Sequence, residues 1–413
     1  MTALPPADDL LPLADLWPLL AAAVEPLPTR EVQVDAALGR VLAAPAAAAW
    51  DLPPFTNSAM DGWAVRAADT AACTPLPLAE GDAYAGGATP SLLPPGHALP
   101  IGTGGRLPEG ADAVLKKEDA EPAAGAVRPL RAVPAGKHVR RAGQERRAGQ
   151  TVVAAGTLIG PRVLAALLAA GVTRVAVGAR PRVRLVTTGS EVAPAGAPPG
   201  PGRIVDTNTP FLSASLARLL GEAPLAAGPV PDDEEALTAA LGEALGTADL
   251  VITTGGVSVG DRDLVRGLLT GRLGVEPLVW RVAVKPGKPV FIGRRGPVWV
   301  VGLPGNPAAV AAHWHLTLRP LLLALQGAAD PAPRWLPAVL GAAVVPERRR
   351  VWLRWCTLVG EGDELRALPL PGAESHMLAD AARADALLAV PPGERPVPAG
   401  TRLPVLLLDG CAT

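Results

Sequence analysis

The sequence predicts a multidomain protein of the α/β and β classes. It combines a central parallel-sheet α/β domain, a β-rich inserted domain, a helical linker domain and a C-terminal β-barrel-like domain. Three observations carry this. From Pro181 to about Gly327 short apolar runs alternate with helical periodicity, which argues for a parallel sheet covered on both faces. From Trp50 to about Gly149, and again from Asp330 to Thr413, the chain reads as short strands broken by turns. Helical spacing returns on either side of the first of these stretches. The expected divisions are 1–49 plus 150–180 (linker), 50–149 (insertion), 181–329 (α/β) and 330–413 (C-terminal β).

In the first segment Leu10, Leu13, Leu16, Trp17 and Leu20 mark one helical face, and ALGRVLA from Ala37 continues as a second short helix. The insertion contains DLPPFTNSAMDGWAV, GDAYAGG and IGTGGRLPEGADAV; Asp61 and Thr103 sit in what are, on their own, turns. PRVLAALLAAGV places Pro161 at a helix start and Gly171 just past its end, and packs back on the N-terminal segment. In the α/β domain Asp206, Thr207 and Asn208 offer N-cap chemistry to the helix FLSASLARLL. The acids opening DDEEALTAALGEAL suit the helix dipole. The last helix, Ala308 to Leu325, carries the histidines of HWH, which read as packing or surface residues rather than ligands.

The stretch Asp249–Asp263, DLVITTGGVSVGDRD, concentrates the chemistry. A buried strand breaks into Gly255 and Gly256, continues through Ser258, and reaches Asp261 and Asp263 before a helix. Strand, glycine turn and helix start form an anion cradle with carboxylates at its rim, a place for phosphate and a divalent metal. Four loops are expected to follow strand C-termini: TTGSE, TTGGVSVGDRD, KPGKP after VWRVAV, and LPGNP. Ligands of open α/β sheets bind outside those ends. Glu191, Asp261, Asp263, Lys285 and Lys288 can therefore converge. Two of only five lysines lie in KPGKP, where compact point charges suit an anion. Neither GxGxxG nor GxxxxGK[ST] occurs, against a dinucleotide site or a P-loop.

Composition narrows the function classes. A net charge of -1 argues against a general nucleic-acid binder. The three cysteines are isolated, which disfavours a zinc site and suits a reducing compartment. The N-terminus lacks the basic and apolar regions of a signal peptide. No uncharged run reaches the ~20 residues of a membrane span, so a cytoplasmic protein is expected.

SAMDGWAV, IGTGGRLPEGADAV, TTGSE, TTGGVSVGD, KPGKP and GLPGNP occur in the order found in molybdopterin molybdenumtransferases, and the chain resembles that family over almost its whole length. The family includes the bacterial molybdenum-insertion enzymes and the C-terminal part of gephyrin. The resemblance implies four domains in an L-shaped subunit, an elongated homodimer and an active site between subunits. It also implies a reaction in which adenylated molybdopterin and molybdate give molybdenum cofactor and AMP, assisted by Mg²⁺. The molybdopterin adenylyltransferase of the same pathway is the implied partner.

Carried over by motif, Asp61, Thr103, Asp232 and Asp263 take catalytic roles, and Glu191 with Asp263 would hold the metal. Gly255, Gly256, Ser258, Lys285, Lys288, Arg354 and Ser375 would bind substrate, the two lysines holding molybdate. Without the resemblance, Arg354 and the Glu374-Ser375-His376 turn read as surface polar groups. Three positions depart from the family pattern: Ser190 replaces a common Asp, Glu145 (GQE) the Asp of GED, and Ala309 a common Ser. Two other readings remain, a molybdopterin adenylyltransferase using ATP and a gephyrin-like scaffold for partner peptides.

Overall fold

The computed structural model describes residues 10–408 apart from 89, 195–197, 199, 258–263, 373 and 375. Its first element is the helix Leu13–Ala23. Leu16 and Leu20 are buried in one core with the α/β sheet and with Leu318, Leu321 and Leu325 of a later helix. The second helix expected from Ala37 does not form. Thr29–Gln33 pairs antiparallel with Arg174–Gly178, a single 3₁₀ turn spans Val34–Ala37, and Gly39 at φ +75° ends it. The linker is thus a mixed unit, not a helical one. Its core joins Val34, Ala37 and Leu42 to Ile159, Leu167 and Val177, so the chain leaves for the insertion and returns through one hydrophobic cluster.

The insertion is built on two three-stranded sheets. One orders Leu99–Ile101, Gly62–Val65 and Ala113–Lys116; the other orders Leu76–Pro77, Ala126–Pro129 and Ala120–Ala123. Asp61 and Thr103 flank the first sheet, on neighbouring strand ends.

The α/β sheet has six strands in the order Leu225–Val230, Val183–Thr188, Leu250–Thr254, Val298–Leu303, Phe291–Arg295, Glu276–Trp280. The first four are parallel. Phe291–Arg295 runs antiparallel to both its neighbours, Val298–Leu303 and Glu276–Trp280, so the parallel sheet expected from the sequence carries one reversed strand. Gly296, at φ +57°, sits in a two-residue hairpin between Phe291–Arg295 and Val298–Leu303, and so short a connection allows only antiparallel pairing. The expected strand VWRVAV also stops early, at Trp280, where Arg281 takes φ +68°. The chain then crosses to the C-terminal unit, and Val284–Lys285 pairs parallel with Val351 and Trp352.

Helix ends follow the local sequence. Asp206 Oδ1 accepts from the backbone N–H of Asn208 and Thr209, each at 3.0 Å, opening Asn208–Leu220. Asp233 accepts from Ala236 N–H at 2.9 Å, opening Glu234–Thr247. The helix Pro307–Leu325 is long and apolar enough to cross a membrane, but 89% of its apolar window is buried inside the fold. It is a core helix, with the sheet residues Leu250, Ile252 and Val301 and the barrel residues Leu353, Trp355 and Leu387 in the same cluster.

The C-terminal unit is a closed five-stranded barrel. Val351–Glu361 neighbours Glu364–Pro369, then Trp335–Leu340, Arg402–Leu407 and Ala386–Val390, which pairs back onto Val351–Glu361. Trp335–Leu340 is the strand the sequence reading did not include. Cys356, Ala367, Leu388 and Val405 fill the barrel interior.

Candidate active site

A cavity of about 810 Å³ opens where the α/β domain meets the barrel. Three of the four expected loops reach it from strand ends. Glu191 follows Val183–Thr188, Gly255 and Gly256 follow Leu250–Thr254, and Pro304 to Pro307 follow Val298–Leu303. The fourth, Lys285 to Pro289, lines the same cavity but arrives from the crossing toward the barrel, not from a central parallel strand. The barrel side adds Arg350 and His376.

Gly255 and Gly256 are fixed by their surroundings. They take φ +90° and +65°, and a Cβ would come within 2.8 Å of Thr188 O and 2.4 Å of Val265 Cγ2 respectively. Only glycine lets this turn close against the neighbouring strand end and still line the cavity. Two buried polar atoms of lining residues, Asn208 Oδ1 and Thr254 Oγ1, have no partner among the described residues. Native structures rarely leave such groups unpaired, so the wall is suited to a polar ligand.

The KPGKP loop is held from behind. Gly287 (φ +100°) presents its carbonyl to His313, whose Nε2–H donates to it at 2.7 Å. His313 Nδ1 accepts from Thr317 Oγ1 at 3.0 Å. Complete burial pushes the His313 pKa down to about 4, so the ring stays neutral in this arrangement. The sequence left His313 between packing and surface, and gave no sign of its service to the lysine loop. Lys285 Nζ lies 3.4 Å from Glu374 Oε1 and 4.8 Å from the ring centroid of Trp352.

Glu191 is exposed on the cavity wall, and no hydrogen bond or ion pair engages its carboxylate among the described residues. Asp232 stands one loop away. Its Oδ2 accepts from Ser190 N–H, and its own N–H donates to Ser190 Oγ, both at 3.1 Å. The departure at Ser190 therefore replaces a carboxylate by a hydroxyl that staples two loops together. Ala309 lines the cavity in the first turn of the core helix. Glu145 is exposed in a bend between Val139–Arg140 and Thr151–Val153 and does not line it.

Asp61 and Thr103 pair with each other and not with the cavity. Asp61 Oδ1 accepts from Thr103 N–H at 2.7 Å and from Thr103 Oγ1 at 2.9 Å. These bonds, the backbone one first, hold the Asp61 carboxyl below its ordinary range. Arg354 does not line the cavity either. It donates to Leu370 O at 2.8 Å, stacks over Trp352 at 4.5 Å, and is lowered in pKa by burial. Ser258, Asp261, Asp263 and Ser375 lie outside the described residues.

Sequence reasoning missed Arg350, Asn208, His313 and Trp352. Arg350 closes a run of three arginines that belongs to none of the motifs. In the fold it donates to Glu347 Oε1 at 2.7 Å, and that bond pulls the Glu347 pKa down to about 2.

The MoeA N-terminal region (domain I and II) matches residues 11–171, the probable molybdopterin binding domain 184–324, and the MoeA C-terminal region (domain IV) 337–408. Molybdopterin molybdenumtransferase 2 of Mycobacterium tuberculosis is 36% identical over 91% of this chain and 94% of its own. Molybdopterin molybdenumtransferase of Haemophilus influenzae is 33% identical over 73% and 74%. A molybdopterin biosynthesis moeA protein of known structure from Pyrococcus horikoshii OT3 superposes with TM-score 0.79 at 26% identity, covering 97% of this chain and all of its own. With matching domains along the chain and relatives of 33–36% identity covered over 74–94% of their length, the protein belongs to the molybdopterin molybdenumtransferase family of molybdenum cofactor biosynthesis.

Proposed function

We propose that this molybdotransferase inserts molybdenum from molybdate into adenylated molybdopterin and releases AMP in an Mg²⁺-dependent step. The observation that carries the reading is the cavity itself, where Lys285 and Lys288 share a wall with the glycine turn Gly255-Gly256 and the unengaged carboxylate of Glu191. Two ammonium groups on one short loop suit a compact tetrahedral dianion. The glycine turn suits the backbone approach of a phosphate. Asn208 and Thr254 add polar side chains to the same wall.

The Glu191 carboxylate on the cavity wall suits Mg²⁺, which takes one or two carboxylates together with substrate phosphate oxygens and water. Glu191 and, by the family pattern, Asp263 would hold it, and the bound ion would offset charge on the phosphates as AMP leaves. The chain's own residues do the positioning on which phosphoanhydride cleavage depends. Lys285 and Lys288 hold molybdate against the dithiolene sulfurs that attack it. The Gly255-Gly256 turn seats the phosphates, and the His313 brace keeps the lysine loop in place.

Asp61 and Thr103 do not line this chain's cavity. In the homodimer that the family resemblance implies, the Asp61 carboxylate, held by Thr103, would face the cavity of the second subunit. The participation of Arg350 and His376, both from the barrel side, favours molybdenum insertion over an ATP-dependent adenylyltransferase built on the α/β domain alone. The test is turnover by the purified chain with adenylated molybdopterin, molybdate and Mg²⁺. Molybdate-dependent AMP release, with cofactor able to activate an apo-molybdoenzyme, is expected. Pyrophosphate release from ATP and molybdopterin, without molybdate dependence, would instead make it an adenylyltransferase.

A further inference from the structure

Lys285 and Arg354 come from different domains, yet both stack on one side chain. Lys285 Nζ lies 4.8 Å and Arg354 Cζ 4.5 Å from the ring centroid of Trp352. We propose that Trp352 is a positioning residue for oxyanion binding, an aromatic platform that holds the Lys285 ammonium and the Arg354 guanidinium together before the anion arrives. This rests on the reading of Lys285 as an oxyanion ligand.

Three features support it. First, the pairing is built into the backbone. Val284–Lys285 runs parallel to the barrel strand with Lys285 opposite Trp352, and Arg354 lies two residues further along that strand, on the same face. Second, among the described residues the indole meets its charged neighbours through its face. Trp352 Nε1 is buried with no partner among the described residues, whereas a buried indole N–H ordinarily finds one. What Trp352 offers its neighbours is its π face.

Third, the two cations need something to keep them together. Sharing one ring puts them within about one Debye length of each other, where like charges repel. Arg354 is half-buried, with Nε unpartnered. Glu374 pairs with Lys285 at 3.4 Å and also acts favourably on Arg354, so in the absence of an anion one carboxylate serves both. A tetrahedral oxyanion bound to Lys285 at the cavity wall would take over that role, with Arg354 adding its charge from behind the wall across the shared ring.

The experiment is titration of the purified full chain with molybdate alone, read by calorimetry, for wild type, Trp352→Leu, Trp352→Phe, Lys285→Ala and Arg354→Ala. Two exposed-to-intermediate cation–π contacts correspond to roughly five- to thirtyfold in affinity. Trp352→Leu should weaken molybdate by that factor. Trp352→Phe, which keeps a π face, should return to within about threefold of wild type at a similar melting temperature. In the Trp352→Leu background, Lys285→Ala should cost clearly less than in wild type.

Equal weakening by Leu and Phe, or wild-type affinity in Trp352→Leu, overturns the proposal and leaves Trp352 a packing residue. If Lys285→Ala itself binds molybdate normally, the parent reading fails and takes this one with it. Should Trp352→Leu not fold, wild type decides. With only five lysines in the chain, ¹³C-lysine labelling resolves Lys285, whose Cε–H should be shifted upfield by the ring and move again with molybdate. An ordinary, molybdate-insensitive shift overturns the proposal.

Discussion

Replacing His313 by leucine should change stability, its pH dependence and the molybdate requirement together. His313 is fully buried and donates from Nε2 to Gly287 O at 2.7 Å. Leucine leaves that carbonyl and the Thr317 hydroxyl without their partner, at a cost of about 1–3 kcal/mol each where no water reaches them. The pH effect follows from the pKa. It falls from an ordinary 6.5 to about 4 because burial disfavours the imidazolium. Between these values the unfolded chain binds more protons than the folded one. Stability from this group is therefore complete above pH 6.5 and is lost as pH falls toward 4, about 3 kcal/mol in all.

The assay is urea unfolding of wild type and His313→Leu from pH 4 to 8, following the transition of the α/β core. Glu347 and other carboxylates with lowered pKa also weaken the fold in acid, but equally in both chains, so the difference isolates His313. The wild-type advantage should shrink as pH falls through 6.5 to 4. At pH 7.5 the variant should need about tenfold more molybdate, because the lysine loop has lost its brace. Parallel stability profiles over the whole range would refute the argument.

The other expectations follow from single contacts. Lys288→Ala should raise the molybdate requirement about tenfold to a hundredfold, since one charge-assisted hydrogen bond is worth roughly 1.5–3 kcal/mol; affinity for adenylated molybdopterin, measured by calorimetry, should barely change. Asp263→Asn or Glu191→Gln should be nearly inactive at ordinary Mg²⁺ with an unchanged melting temperature, as an activity titration in Mg²⁺ would show. Ser190→Ala removes the hydroxyl that accepts from Asp232 N–H and should cost about 1 kcal/mol of stability, read by chemical denaturation. Mixed dimers of Asp61→Ala and Asp263→Ala subunits should regain up to about half of one dimer's activity if the site spans two chains; inactivity after verified exchange would place it within one.

The architecture was legible where local pattern and tertiary demand coincide. The buried run Leu250–Ile252 and the acids opening Glu234–Thr247 needed no long-range information to be read correctly. Ala37–Ala43 was misread because a few apolar residues at helical spacing cannot be told from a turn with bridging strands until Gly39 commits to positive φ. The route of KPGKP was missed for a related reason. Arg281 at φ +68° breaks a run with good strand propensity, and nothing in its neighbours announces that. At the site, chemistry-bearing motifs picked out lysines and glycines that line the cavity. Their supports, His313 and Trp352, were hidden because aromatic and imidazole side chains gain such roles only through partners far away in sequence.

Molybdenum itself offers the most direct test, through anomalous diffraction at its absorption edge from crystals of the chain grown with molybdate. The account requires a molybdenum peak inside the cavity of about 810 Å³, with oxygens at charge-assisted hydrogen-bond distance, about 2.7–2.9 Å, from Lys285 and Lys288 Nζ. That peak should vanish in Lys285→Ala/Lys288→Ala. A peak bound elsewhere, or one that survives loss of both lysines, would contradict the assignment of this cavity as the place where molybdenum enters the cofactor.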